Sequence, residues 1–257
     1  MKFSIITPTY RRRDLLERAI KSVLSQTYTD WEMIIVNDSP DDPKYQNLAS
    51  SITDPRIRYY VNDINSGVNY SRNRALDNLS RDSAWVVFLD DDDYFVPDAL
   101  AEFNKLITAF PDKKWFMTNR AYADGILETR FRRPETQYSF IWEYLILKRG
   151  KGEMTQCIST KLINGIRFSK RVKQGEEWLF YYQIELHEKM YYHNHNSTLT
   201  DGYDEVSGLN FRKRSRSEQF KTLLTLIREG NQLHLLHHPT FLIYLFMRLV
   251  RLCIKTQ

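Results

Sequence analysis

The sequence predicts an α/β fold: a mostly parallel, open sheet flanked by helices, with a helical appendage at the C-terminus. Three observations carry that expectation. Strand-like and helix-like segments alternate through the first half of the chain, the pattern of repeated β-α-β units. Residues 85–89 are apolar at every position, as in a strand covered on both faces. The polar clusters Pro8-Thr9-Tyr10, Asn37-Asp38, Asn62-Asp63 and Asp90-Asp91-Asp92-Asp93 each follow a strand-like run directly, so one mouth of the sheet, at the carboxyl ends of its strands, collects them.

Each element has a local cause. Residues 3–7 are a short β-prone run ended by Pro8, after which Leu15, Leu16, Ala19, Ile20, Val23 and Leu24 recur at helical spacing up to about Ser25. Residues 31–36 form the next strand, stopped by turn formers at 37–43, and residues 57–61 a third. A helix is expected over 68–79, then the buried strand 85–89, then an aromatic wall, Tyr94-Phe95, before a helix opened by Pro97. Beyond about residue 112 the pattern loosens to a strand near 114–118, an aromatic helix over 138–147 and a helix over 176–188.

Composition excludes several classes. With 42% hydrophobic and 27% charged residues the chain can bury a core, which rules out disorder for most of it. Two cysteines, Cys157 and Cys253, make neither a disulfide framework nor a cysteine zinc site. His234, His237 and His238 share helical spacing but have no acid or Cys nearby, so a zinc site is not expected there either. The apolar run after Lys2 is too short for a signal peptide before Arg11-Arg12-Arg13. The net charge of +5 is unevenly placed: residues 211–257 carry 9 Lys or Arg against 2 Asp or Glu, and residues 1–210 carry 28 against 30. A slightly acidic body thus precedes a basic tail.

Four adjacent carboxylates after a buried strand repel one another, and a hard divalent cation is their natural counter-charge; the bland alternative is a solvated acidic turn. Glycine-rich phosphate loops are absent, since only 9 Gly occur and Gly150-Lys151-Gly152 lacks the spacing.

Taken in order, several segments resemble family 2 glycosyltransferases of the GT-A (Rossmann-like) fold, of the bacterial surface-polysaccharide type. They are Ser4-Ile5-Ile6-Thr7-Pro8-Thr9-Tyr10, Ser22-Val23-Leu24-Ser25-Gln26-Thr27-Tyr28, residues 31–38, Gly67 with Ser71-Arg72-Asn73, and Leu89-Asp90-Asp91-Asp92-Asp93. The likeness is strong over residues 3–110 and thin over 150–205. It implies a GT-A domain at 1–208, with a nucleotide-binding half at about 1–110 and an acceptor-binding half at about 111–208, before a basic amphipathic region at 209–257.

The resemblance also implies roles. Pro8, Thr9 and Tyr10 would lie along uracil, and Asp38 would accept from its ring N–H, with Asn37 standing where an acid is usual. Arg72 would pair with the diphosphate. Asp90 and Asp91 would belong to the nucleotide-sugar site, Asp92 would coordinate Mn²⁺ or Mg²⁺ with His195 facing the metal or diphosphate, and Asp93 would support the loop. In Gly175-Glu176-Glu177-Trp178, Glu177 aligns with the family's catalytic base, one methylene longer than the usual Asp, and Glu176 is the alternative. The implied reaction is metal-dependent, inverting transfer from a UDP-sugar to a hydroxyl of a lipid-linked saccharide, in polysaccharide or glycolipid synthesis. The rival from another class is a non-catalytic peripheral membrane protein whose acids bind a nucleotide or Ca²⁺.

After Pro239, the residues Thr240, Tyr244, Arg248, Arg251 and Lys255 form one polar stripe on an otherwise apolar helix. Arg248 and Arg251 interrupt it too early for a bilayer span. With Arg212, Lys213, Arg214 and Arg216 upstream, it suits an anionic surface at the cytoplasmic face of the cell membrane. Docking on the body or on a second subunit is the alternative. No base-reading module accompanies the charge, so nucleic acid is not an expected partner.

Overall fold

The computed structural model describes residues 1–171, 176–201 and 215–254. Its first half alternates as the pattern requires: β1 (Lys2–Thr9), α1 (Arg13–Leu24), β2 (Trp31–Asn37), α2 (Lys44–Ser51), β3 (Ile57–Val61), α3 (Val68–Leu76) and β4 (Ser83–Phe88). There follow β5 (Asp93–Phe95), α4 (Ala99–Ala109), β6 (Trp115–Tyr122), β7 (Thr136–Tyr138), β8 (Met154–Ser159), the short α5 (Thr160–Ile163), α6 (Trp178–Glu185), β9 (Met190–Thr200), α7 (Arg216–Gln232) and α8 (Pro239–Ile254). The aromatic segment expected as a helix is a π-helix, Phe140–Ile146.

The described strands make one nine-stranded sheet in the order β3-β2-β1-β4-β8-β6-β9-β5, with β7 added on β9. The first four are parallel, as expected. The sheet is nonetheless mixed, because β8 runs antiparallel to both β4 and β6, and β5 antiparallel to β9. This double reversal leaves β6 and β9 pointing the same way as β1 and β4, so the second half of the chain delivers its strand ends to the same mouth.

Strand alternation divides the core in two. Phe3, Ile5, Met33, Ile35 and Val87 pack under Leu16, Ala19 and Val23 of α1 and Leu100 and Phe103 of α4. Ile6, Ile34, Val36, Val86 and Met117 pack under Ala75 and Leu76 of α3, Phe180 and Tyr182 of α6, and the last two helices. Ser4 shares this second side with Ile6, and its hydroxyl is accommodated there by donating to the buried Glu32 carboxylate at 2.6 Å, which also accepts from Ser80 and Arg58.

The C-terminal helices are part of the core. Helix α7 opens on a capping box, Ser215 with Glu218, and buries Leu223 and Leu226. It runs antiparallel to α8, with Arg216 donating to the Leu252 carbonyl at 3.2 Å and Gly230 lying so close to Phe241 that a Cβ there would clash. Helix α8 buries Phe241 and Leu245. Its polar stripe faces inward as far as Arg248: Thr240 bonds the Tyr182 hydroxyl at 2.7 Å, Tyr244 packs on Trp178 with ring centroids 4.4 Å apart, and Arg248 reaches Glu176, while Arg251 is exposed. The outward face is apolar, with Leu242, Ile243, Phe246, Leu249 and Ile254 exposed, and α7 adds Phe220, Leu224 and Ile227. Among the described residues no helix is long and apolar enough to cross a membrane. The expected boundary at 208/209, Gly175, the Arg212-Lys213-Arg214 cluster and Lys255 lie outside the described residues.

Candidate active site

The mouth is built first from turns. After β1 the chain turns sharply at Arg11, whose φ is +55°, and Arg11 N–H and Arg12 N–H donate to Ser39 and Tyr45. Thr9 is buried with its hydroxyl 2.7 Å from that of Tyr45, while Tyr10 stays exposed. Asp38, at the end of β2, is buried and accepts from Asn62 Nδ2 (2.7 Å), Ser66 N–H (2.8 Å) and Gly67 N–H (2.7 Å). Gly67 has φ +91°, a conformation that suits glycine and aims its N–H at Asp38 as α3 begins.

Three successive polar residues of α3 are buried, and each has a partner. Ser71 Oγ accepts from Asn62 at 3.0 Å, and Asn73 clamps Phe168 by a reciprocal pair of bonds at 2.9 Å. Arg72 enters the mouth, with Nη2 2.7 Å from Asp90 and Nη1 3.4 Å from Glu177. Burial opposes its charge, but the two carboxylates outweigh burial and keep it a cation. Arg74 is structural, bonding Val61 O and Asn62.

The acidic run is dispersed, so the expected mutual repulsion is met mainly by arginines. Asp90 lies on Arg72, which overcomes burial and holds its carboxyl below the usual range. Asp92 is 2.6 Å from Arg12, which also reaches Asp91 at 3.4 Å, and Arg18 donates to the Asp92 carbonyl at 2.7 Å. Asp91 is buried; that burial and the charge of Asp92 push it up to about 7. Asp93 is buried and raised for the same first reason, against the pull of Arg120 3.1 Å away, and it pairs β5 with Thr200 of β9. Arg12, Arg18 and Arg120 were not foreseen as site residues. The signal for Arg12 was available in Arg11-Arg12-Arg13, three cations directly after a strand end at the mouth.

The two glutamates before α6 diverge. Glu177 occupies the N-cap position with helical φ and ψ and faces Arg72. Glu176 has φ +64°, and its buried carboxylate accepts from both terminal nitrogens of Arg248 and from Trp178 Nε1. Of the pair, Glu177 is the one turned to the mouth, which corrects the place given to Glu176.

His195 is a second correction. Strand β9 reaches the mouth at Thr200, and His195 lies five residues before it, in a stretch where the pairing with β6 is bulged. There it contacts Ser197 at 2.9 Å and Asp98 at 3.5 Å and lines an open depression of about 590 Å³. The structure does not bring it to Asp92, and among the described residues no three His, Cys, Asp or Glu side chains converge as a metal cage.

This architecture has solved counterparts. The chain aligns with S. aureus TarS residues 1–349, solved in complex with UDP-GlcNAc, at a TM-score of 0.66 and 19% identity, over 90% of this chain and 67% of that one. That likeness is one of fold, and the fold is GT-A. The model for glycosyl transferase family 2 matches residues 4–165, more than half of the chain, and the chain belongs to that family. Two curated relatives are similar in part. One is the GalNAc(5)-diNAcBac-PP-undecaprenol beta-1,3-glucosyltransferase of Campylobacter jejuni, 43% identical over 104 residues, 39% of this chain and 32% of that protein. The other is the UDP-Glc:alpha-D-GlcNAc-diphosphoundecaprenol beta-1,3-glucosyltransferase WfgD of Escherichia coli, 36% identical over 98 residues, 38% of this chain and 37% of that protein. The match thus spans about a third of each relative's length.

Proposed function

We propose that the protein transfers a sugar from a UDP-sugar to a hydroxyl of a lipid-linked saccharide, with inversion at the anomeric carbon and with Mn²⁺ or Mg²⁺ bound at Asp92. The observation that carries this reading is the placement of Arg72 between Asp90 and Glu177. One guanidinium joins the acid cluster of the nucleotide half to a carboxylate of the acceptor half, which is where donor and acceptor must meet. The names of the relatives support the substrate class, since one is named for UDP-Glc and both for undecaprenyl diphosphate saccharides.

In this mechanism Glu177 takes the proton of the acceptor hydroxyl as its oxygen bonds the anomeric carbon, and the bond from that carbon to the diphosphate breaks to release UDP. Arg72 stays in place to receive charge that develops on the diphosphate. Arg12 exchanges its hold on Asp92 for a phosphate oxygen. The donor set fits a hard divalent ion, because Asp90 and Asp92 keep 41% and 30% side-chain exposure, and such ions are commonly held by one or two carboxylates plus substrate phosphates. When bound, the ion supplies neutralisation of the leaving group. Accordingly, Asp92→Ala should lower the Mn²⁺-dependent UDP affinity at least tenfold in titration calorimetry. Equal affinity in the two proteins would remove the metal from Asp92.

The outward face of the C-terminal helices supports a peripheral position on an anionic bilayer at its cytoplasmic side. Exposed Phe220, Leu224, Phe246 and Leu249 are accompanied by exposed Arg216, Lys221, Arg228 and Arg251. The double variant Phe246→Ser/Leu249→Ser should reduce co-sedimentation with phosphatidylglycerol vesicles at least fivefold. Undiminished sedimentation would place the membrane contact elsewhere.

A further inference from the structure

We propose that Arg248, on the last helix, is a positioning residue for the transfer step: by pinning the Glu176 carboxylate it fixes the turn that presents Glu177 to Arg72. The inference rests on the reading of Glu177 as the base.

Glu176 is in the left-handed region, which a residue with a Cβ adopts only against a steric cost. Something must hold it there. Its side chain is only 4% exposed and is gripped by the Arg248 fork, with Nη2 to Oε1 at 2.8 Å and Nη1 on Oε2, and by Trp178 Nε1 at 2.5 Å. Arg248 is itself seated: Tyr244, one turn earlier, packs on Trp178, and Phe241 is fully buried beside it. Burial works against the guanidinium charge, and Glu176 more than restores it.

The same backbone carries Glu177. The first turn of α6 closes through Leu179 N–H to Glu176 O (3.1 Å) and Phe180 N–H to Glu177 O (3.0 Å). If Arg248 is removed, the buried Glu176 carboxylate loses both bonds and the counter-charge of that fork, which draws it toward water. Residue 176 then swings toward negative φ and opens the turn at whose N-cap Glu177 sits. A base displaced by about 1 Å costs up to about 10²-fold in rate, with little effect on donor binding. The consequence is specific: a residue of the C-terminal region acts on the chemistry through Glu177 without touching substrate.

The test follows hydrolysis of UDP-glucose and UDP-N-acetylglucosamine, with water as acceptor, by the full chain. Arg248→Lys keeps the charge but loses the fork; it should keep the donor KM and the melting temperature and lower kcat about tenfold. Arg248→Gln should lower kcat about 10²-fold, again with donor KM unchanged. Combined with Glu177→Gln, it should cause no further loss, because both changes act through one group. Wild-type kcat in Arg248→Lys, or losses that multiply in the combined variant, overturn the proposal. If Glu177→Gln alone turns over like the wild type, the base reading itself falls, an outcome visible without any Arg248 variant.

Discussion

Glu177→Gln is expected to bind UDP as tightly as the wild-type protein and to turn over about 10³-fold more slowly. Gln preserves the shape of the side chain, and its carbonyl can still accept from Arg72 Nη1, 3.4 Å from the carboxylate in the native site. What it cannot do is take a proton from an incoming hydroxyl. Positioning and donor affinity should therefore survive while the chemical step fails, which separates Glu177 from groups that only hold the nucleotide. UDP calorimetry together with initial rates checks this. A fall in affinity equal to the fall in rate would make Glu177 a binding residue, and undiminished turnover would remove the base role. The same pair of measurements bears on the non-catalytic alternative, in which the acids bind a nucleotide or Ca²⁺ for regulation, because that protein has no turnover to lose.

The sheet mouth was legible because it is written locally. The β-prone runs at residues 3–7 and 31–36 and the wholly apolar 85–89 mark three strands, and polar residues begin where each strand ends. Strand β8 was not read. Its sequence, Met-Thr-Gln-Cys-Ile-Ser, mixes polar residues into a buried strand, and they are tolerated only through partners far along the chain: Gln156 accepts from Trp115 Nε1 at 2.6 Å and Thr155 bonds Thr198 at 2.7 Å. Without β8 the mixed character of the sheet is invisible.

The limits of the site reading have the same origin. Asp90 to Asp93 read as four like charges, since Arg12, Arg72 and Arg120, their actual partners, come from β1's end, α3 and β6. Glu176 and Glu177 read as equivalent acids, because the backbone conformation that sends their side chains apart, φ +64° at Glu176, is one that a glutamate's own preferences oppose. Helical periodicity showed that α8 has a polar stripe but not that the stripe turns inward. Its direction depends on Glu176 and Tyr182 waiting beneath it.

Arg72→Ala should be the most disruptive single change in the mouth, because it removes one cation from two carboxylates at once. In the native fold Asp90 and Glu177 share that guanidinium, and each alone faces the other across the space it vacates. Arg72 is buried, but Asp90 and Glu177 are 41% and 34% exposed, so no buried charge is left behind; the loss of two charge-assisted contacts, discounted for water, costs about 3 kcal/mol together. For a chain of this size about 3 kcal/mol lowers Tm by roughly 6–12 °C. The pH dependence has a definite sign. Arg72 holds the Asp90 carboxyl below its ordinary value, so this stabilisation is present above the unfolded carboxylate pKa and is lost as pH falls through the folded one. The gap between wild type and Arg72→Ala should therefore be widest near neutrality and close in acid below about pH 4. Urea melts at several pH values check it, and a gap that is flat with pH would show that Arg72 stabilises the fold by packing against Phe168 and not by charge. Arg72→Lys sharpens the distinction: a single ammonium restores most of the stability but cannot present the fork that reaches Asp90 and Glu177 together, so melting recovers while turnover does not.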